Sequence, residues 1–260
     1  MKLRRIAEQL KHQHWTTIVI DLVVVVIGVF IGMQATNWNA ERETNQRAAV
    51  FTKRLKADLR VEAWNYEYLI DYNKDVLANA GRVLVAMTDN RPLSDEQLVV
   101  GAYRASQYQY LDRRRATYDE LVSTGTISLI ADQKMRETAI MVYSSPVFDQ
   151  LYIEGKQSEY RELFRKTVPA TVQHDLLTKC GDRVVLPFDY PGIVHSLDYP
   201  CSLDIPADKI RDTAKALRAR DGLVSALQLR FADLETSLAN LQTYNPELRQ
   251  HLREFSEKRK

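Results

Sequence analysis

The chain has 260 residues, 45% hydrophobic and 27% charged, with a formal net charge of +2 at neutral pH. Acids and bases are intermixed, so no broad positive field points to nucleic acid as a partner. Nine glycines are too few for a glycine-rich all-β domain and suit helices.

Residues 16–33 carry a single charge, Asp21. As a helix of 1.5 Å rise per residue they extend roughly 27 Å, close to the hydrocarbon thickness of a bilayer. Trp15 and Trp38 bracket the stretch, about 35 Å apart along a helix, where aromatic rings favour the two headgroup layers. Lys2, Arg4, Arg5 and Lys11 precede it against Glu8, whereas residues 39–52 hold only Arg42 and Arg47 as bases. Positive residues are retained in the cytoplasm, so the expected topology has the N-terminus inside and the bulk of the chain outside. A cleaved signal peptide is the rival reading, but the exit Gly32-Met33-Gln34-Ala35-Thr36-Asn37-Trp38 lacks small residues at the cleavage spacing. The expected division is a basic tail over 1–14, a transmembrane anchor over 15–38 and one helical domain over 39–260.

Thr17, Asp21, Gly28, Gly32 and Ala35 fall within an arc of roughly 80° on this helix. Small residues let two backbones approach, and polar ones bond across helices. The face predicts self-association or docking with another membrane protein within the lipid bilayer. Snorkelling of Asp21 toward the headgroups is the plainer alternative and stays open. A lone span makes no pore.

From Glu41 to Met87 there is no proline and one glycine, Gly81. Apolar residues recur at Phe51, Leu55, Leu59, Tyr66, Leu69, Val76, Ala80, Val83 and Met87, with polar Glu62 and Asn73 on the two missing beats. Alternating steps of three and four draw one stripe on a long stalk-like helix, with packing inside the domain favoured over a coiled-coil seam. Asp89-Asn90-Arg91-Pro92 breaks it. Ser94 to Gln97 forms a capping box that opens a helix to about Tyr110, and Thr117 to Glu120 a second box whose helix Gly125 closes. Further helices are expected from Asp132 to Tyr143, from Pro146 to Lys166 and from Pro169. Residues 180–206 hold four prolines and read as an irregular insertion, with a short strand or hairpin at Val184 to Phe188. Helix returns over Pro206 to Arg220, then through Leu223, Leu227, Phe231, Leu234, Leu238 and Leu241, and a last one follows Asn245-Pro246-Glu247.

The two cysteines, Cys180 and Cys201, bound that insertion. Outside the cytoplasm they read as a disulfide closing a loop of about 22 residues, worth about 3 kcal/mol by the loop-entropy model. His174, Cys180, His195 and Cys201 can be drawn as a zinc set, but their spacing matches no CxxC or HExxH pattern. No GxSxG, phosphate loop or dinucleotide fingerprint is present, so no catalytic, cofactor or metal residue is assigned. Arg113, Arg114 and Arg115, among Tyr103, Tyr108, Tyr110 and Tyr118, form a candidate anion-binding segment, against a solvated helix end.

Lys2-Leu3-Arg4-Arg5-Ile6, then Gly28-Val29-Phe30-Ile31-Gly32 leading into Asn37-Trp38-Asn39, resembles an uncharacterised family of single-pass bacterial membrane proteins. Thr117-Tyr118-Asp119-Glu120-Leu121, ahead of Ser123-Thr124-Gly125 and Leu129-Ile130, carries the same resemblance. It implies an inner-membrane location in a Gram-negative bacterium and a helical domain in the periplasm, and it brings no catalytic residues. The expected fold is mainly α: an N-terminal transmembrane helix continuing into a long-stalked helical bundle, with an irregular Cys-bounded loop. The expected function is a non-enzymatic, membrane-anchored module for assembly and for partner or ligand binding. The alternatives are an envelope enzyme or metal-dependent hydrolase using the His174 and His195 loop region, and an accessory subunit of a larger membrane complex.

Overall fold

A computed structural model describes residues 15–89 and 92–256, with the side chains of residues 15–18 outside that set. The basic tail, His12, His14, the Asn90-Arg91 break and the side chains of Trp15 and Thr17 therefore lie outside the described residues. The elements are α1 Trp15–Thr88, α2 Asp95–Ala105, α3 Ala116–Ser123, a 3-10 turn Ile127–Leu129, α4 Gln133–Ser144, α5 Val147–Lys156 and α6 Glu159–Thr167. They continue as α7 Ala170–Cys180, α8 Tyr190–Ile193, α9 Ala207–Arg218, α10 Leu223–Ala239 with a π-helical end Asn240–Tyr244, and α11 Pro246–Ser256. There is no strand among the described residues, and the mainly α fold with a Cys-bounded loop is as the sequence implies.

The chain divides into two units, residues 1–52 and 53–260. In the first, the side chains of Leu22, Val24, Phe30, Ile31 and Met33 are all 60–63% exposed. Its apolar stretch is long and apolar enough to cross a membrane, and none of the described residues of that window is buried. Thr36 and Thr44 turn their hydroxyls onto the carbonyls of Gly32 and Ala40, which keeps them satisfied along the helix.

In the second unit, Leu55, Leu59, Tyr66, Leu69, Val76, Ala80 and Val83 are buried, so this part of the stripe is a core face rather than a free seam. Ala80 and Val83 join α2, Tyr160 and Phe164 of α6, α7, α9 and the start of α10 in the main core. Trp64, Tyr68, Tyr72 and Val76 meet Ile193, Leu197 and Leu234 in a second cluster. At Gly101 an added Cβ would come within 2.9 Å of Val83 Cγ2, so glycine is what lets α2 lie against α1 here.

The two polar beats of the stripe are buried as well. Asn73 donates to the Leu69 carbonyl at 2.8 Å, a bond internal to the helix. Glu62 is fully buried and accepts from Arg113 Nε at 2.6 Å and from the Arg114 amide at 2.8 Å. Arg113 also donates to the Val142 carbonyl, and its guanidinium lies 3.9 Å from the centre of the Phe148 ring. Burial raises the Glu62 pKa above the ordinary carboxylate value, against the pull of Arg113 and the Arg114 amide.

Some expectations fail locally. The second capping box does not form: α3 starts at Ala116, Thr117 is buried and donates to Asp58 Oδ2, and Asp119 and Glu120 pair with Arg115 and Arg54. The helix expected over Pro146 to Lys166 breaks between Lys156 and Glu159. The break lets Tyr160 and Phe164 of α6 reach the main core. Residues Val184 to Phe188 form no hairpin: Val184 is 92% exposed, and without a second strand to pair with, the segment remains a loop. The Ser94 capping box is present, with Gln97 N donating to Ser94 Oγ and Ser94 N to Gln97 Oε1. Gly125 adopts φ +68° just past α3, the left-handed position glycine favours.

Truncating Arg113 would leave Glu62 as an unpaired buried charge. Arg113→Ala is expected to destabilise the protein by roughly 3–5 kcal/mol, and the Glu62→Gln, Arg113→Met double variant by much less. Urea unfolding followed by circular dichroism measures both; a loss below about 1 kcal/mol for Arg113→Ala, the range of a surface pair, contradicts the assignment.

Candidate functional site

Of the expected anion-binding arginines, Arg113 is engaged by Glu62, Arg115 pairs with Asp119 at 2.8 Å, and Arg114 is exposed. Tyr103, Tyr108, Tyr110 and Tyr118 pack their rings on Phe164, Tyr152, Tyr152 and Tyr143. Cys180 and Cys201 are joined in a disulfide with Cα atoms 5.5 Å apart, which removes both from the zinc set. Among the described residues no group of three His, Cys, Asp or Glu side chains is arranged to hold a metal ion. His195 is exposed in the insertion, while His174 on α7 lines a different cavity.

What the disulfide does build is the wall of a cleft of about 590 Å³. Asn79 and Arg82 of α1 form one side, Gln97, Val100, Gly101 and Arg104 of α2 another, and Asp198 to Cys201 the third. The wall is tied down at several points. Tyr199 donates its hydroxyl to the Gly181 carbonyl at 2.6 Å, the Leu203 amide donates to Glu96 and the Asp204 amide to Asp175.

Arg104 is the organising side chain, only 6% exposed. Its Nη1 donates to Asp198 Oδ1 at 3.0 Å, and its Nη2 to the Tyr199 carbonyl at 2.6 Å and to Cys201 Sγ at 3.5 Å. The guanidinium lies 5.0 Å from the centre of the Tyr199 ring, and Nε is buried without a hydrogen-bond partner among the described residues. Asp198 takes a second cation, Arg82 at 3.2 Å, whose Nη2 also donates to Asn79 Oδ1. Behind them, Asp75 Oδ2 accepts from the Asp198 amide at 3.3 Å. Burial pushes the Asp75 carboxyl up to about 6; the Asp198 amide opposes the rise and the Asp198 and Asp71 carboxylates add to it. The same desolvation lowers the Arg104 pKa, with Asp198 opposing.

Chemically the cleft offers a half-exposed cation, two partly exposed carboxylates (Asp198, and Glu96 which already accepts from the Leu203 amide) and apolar lining at Leu93 and Val100. It contains no histidine, and Ser94 is engaged in its helix cap, so no nucleophile stands beside a base.

A model described as a family of unknown function, DUF6090, matches residues 21–163. The chain belongs to that family. No curated protein and no solved structure matches it. In this DUF6090 member the matched segment includes Asp75, Asn79, Arg82 and Arg104, whereas Asp198, Tyr199 and the disulfide lie beyond it.

Asp75, Asn79, Arg82 and Arg104 did not stand out in the sequence. Asp75, Asn79 and Arg82 are spaced by four and three on α1, the one local signal that they share a face. Asp198 reaches them only through the folding of the insertion.

The raised Asp75 pKa has a pH signature. The folded-state value lies above the unfolded one, so the native state holds a proton that the unfolded chain has lost between about pH 4 and 6, and stability falls as pH rises through that window. Asp75→Asn is expected to flatten that fall and to stabilise the protein at pH 7 by about 1 kcal/mol, after discounting for partial exposure. Urea midpoints at pH 5 and pH 7.5 measure it; parallel pH profiles for the two proteins contradict it.

Proposed function

We propose that this protein is a non-enzymatic, membrane-anchored helical module that binds a small solute of mixed charge between Arg82, Arg104 and Asp198. A zwitterion such as an amino acid fits this chemistry: its carboxylate faces Arg82 and its ammonium faces Asp198. The buried Arg104, which fixes Asp198 in the wall of the cleft beside the half-exposed Arg82, is the observation that carries the reading. An apolar, unburied N-terminal helix supports the anchor. The disulfide supports an oxidising compartment, hence the periplasmic side of a bacterial inner membrane.

The anchor would assemble with a second copy or with another membrane protein through Thr17, Asp21, Gly28, Gly32 and Ala35. Among the described residues nothing outside the helix itself comes within 4 Å of a Cβ added at Gly28 or Gly32, which supports an open surface there for a partner helix.

Two measurements test the parts. In thermal unfolding of the detergent-solubilised protein against a panel of amino acids, at least one member raises Tm by several degrees at about a hundred times its Kd, and Arg82→Ala abolishes the rise. No shift from any member contradicts the solute reading. For assembly, chemical cross-linking in membranes yields a higher-mass species that the Gly28→Leu, Gly32→Leu double variant loses; the same species in both proteins contradicts the helix-face assignment.

A further inference from the structure

A second cavity, of about 470 Å³, lies where α2, α6 and α7 meet. Arg161 and Arg165 of α6, one turn apart, and His174 of α7 line it together with Tyr103, Phe164 and Leu177. Among the described residues that line it there is no carboxylate. Like charges four residues apart on a helix repel, and here nothing in the lining neutralises them.

Arg161 is also held in place. Its Nη1 donates to the Ser106 carbonyl at 2.9 Å, and its guanidinium stacks 4.7 Å from the centre of the Tyr108 ring. That is the one hydrogen bond the described residues give to a group with five N–H donors. Asp182 interacts with Arg161 through its charge, but lies outside the lining and already accepts from Tyr72 and Gln109. Burial lowers the Arg161 pKa, and the neighbouring Arg165 lowers it further. The amide of Gln173, by contrast, is engaged by the Arg165 and Val168 carbonyls, and that of Gln107 by the Tyr103 carbonyl and Ser106. No carboxylate in the lining competes for the two guanidinium groups.

We propose that this cavity is an oxyanion site, taking the phosphate group of a phosphate ester on Arg161, Arg165 and His174. Planar guanidinium donors match tetrahedral oxyanions bidentately, and the bound charge relieves the repulsion between the two arginines. The cavity exceeds the size of a phosphate ion, and the 63%-exposed Leu177 with Phe164 offers an apolar wall for the organic substituent. The site shares no lining residue with the cleft at Arg104, so the two assignments stand or fall separately.

The test uses the full chain in a neutral detergent, titrated calorimetrically with sodium phosphate against sodium chloride of equal ionic strength. Saturable phosphate binding is expected, weakened at least about ten-fold in Arg161→Gln, as the loss of one charge-assisted contact implies, and several-fold in Arg165→Gln and His174→Gln. Arg165 and His174 are exposed, so their variants report on the site even if Arg161→Gln fails to fold. Arg82→Ala, in the other cleft, keeps the binding. Titration with a soluble short-chain phosphatidic acid then distinguishes the source: tighter binding than inorganic phosphate identifies a lipid headgroup, equal binding a free phosphate. No saturable signal, or wild-type affinity in folded Arg165→Gln and His174→Gln, overturns the proposal.

Discussion

The second unit depends on one constraint: the buried face of α1 is not wholly apolar, and a carboxylate on it must find partners away from water. Glu62, Asn73 and Asn79 are all buried on this helix, and each is hydrogen-bonded. An isolated buried carboxylate is far costlier than a missed hydrophobic contact, so Glu62 dictates where Arg113 and the backbone at Arg114 must lie. The polar face at Asp75, Asn79 and Arg82 dictates in the same way where the insertion returns, because Asp198 supplies both an amide to Asp75 and a carboxylate to Arg82. Apolar burial makes the bundle compact; these polar obligations fix which connecting segment meets which turn of α1.

The insertion acquires its role from this arrangement. Its exposed apolar residues, Val184 and Leu186, add little to the core. The disulfide and the Asp198 contacts nevertheless press its last turn against α1 and α2 and leave a cleft between. Arg104 sits at the junction, with Asp198, the Tyr199 carbonyl and the Cys201 sulfur all within reach. In this way a largely irregular segment becomes the polar wall of a cleft.

The legible parts of the sequence were those encoded locally. The stripe from Leu55 to Val83, the Ser94 box, the Gly125 cap and the helix starts after Pro146, Pro169 and Pro206 depend on neighbours within a turn or two, and the structure has them. Thr117 to Glu120 has the pattern of a box as well, yet tertiary partners on α1 took its two capping side chains, Asp58 for Thr117 and Arg54 for Glu120, while Asp119 pairs locally with Arg115 four residues before it. The arginine run was visible but its use was not, because Glu62 lies 51 positions before Arg113. The cleft was invisible for the same reason: Arg104 and Asp198 are 94 positions apart. Both cavities are products of long-range pairing that no local spacing announces.

The central claim is that α1 carries at one end an apolar stretch long enough to cross a membrane, proposed above as an anchor, and at the other the buried spine of a disulfide-closed helical unit. Membranes extracted with alkaline carbonate and probed with a maleimide before and after reduction test it most directly. The account predicts that the chain stays in the membrane pellet and that Cys180 and Cys201 label only after a reductant is added. Release into the supernatant, or labelling of both thiols without reduction, would contradict it.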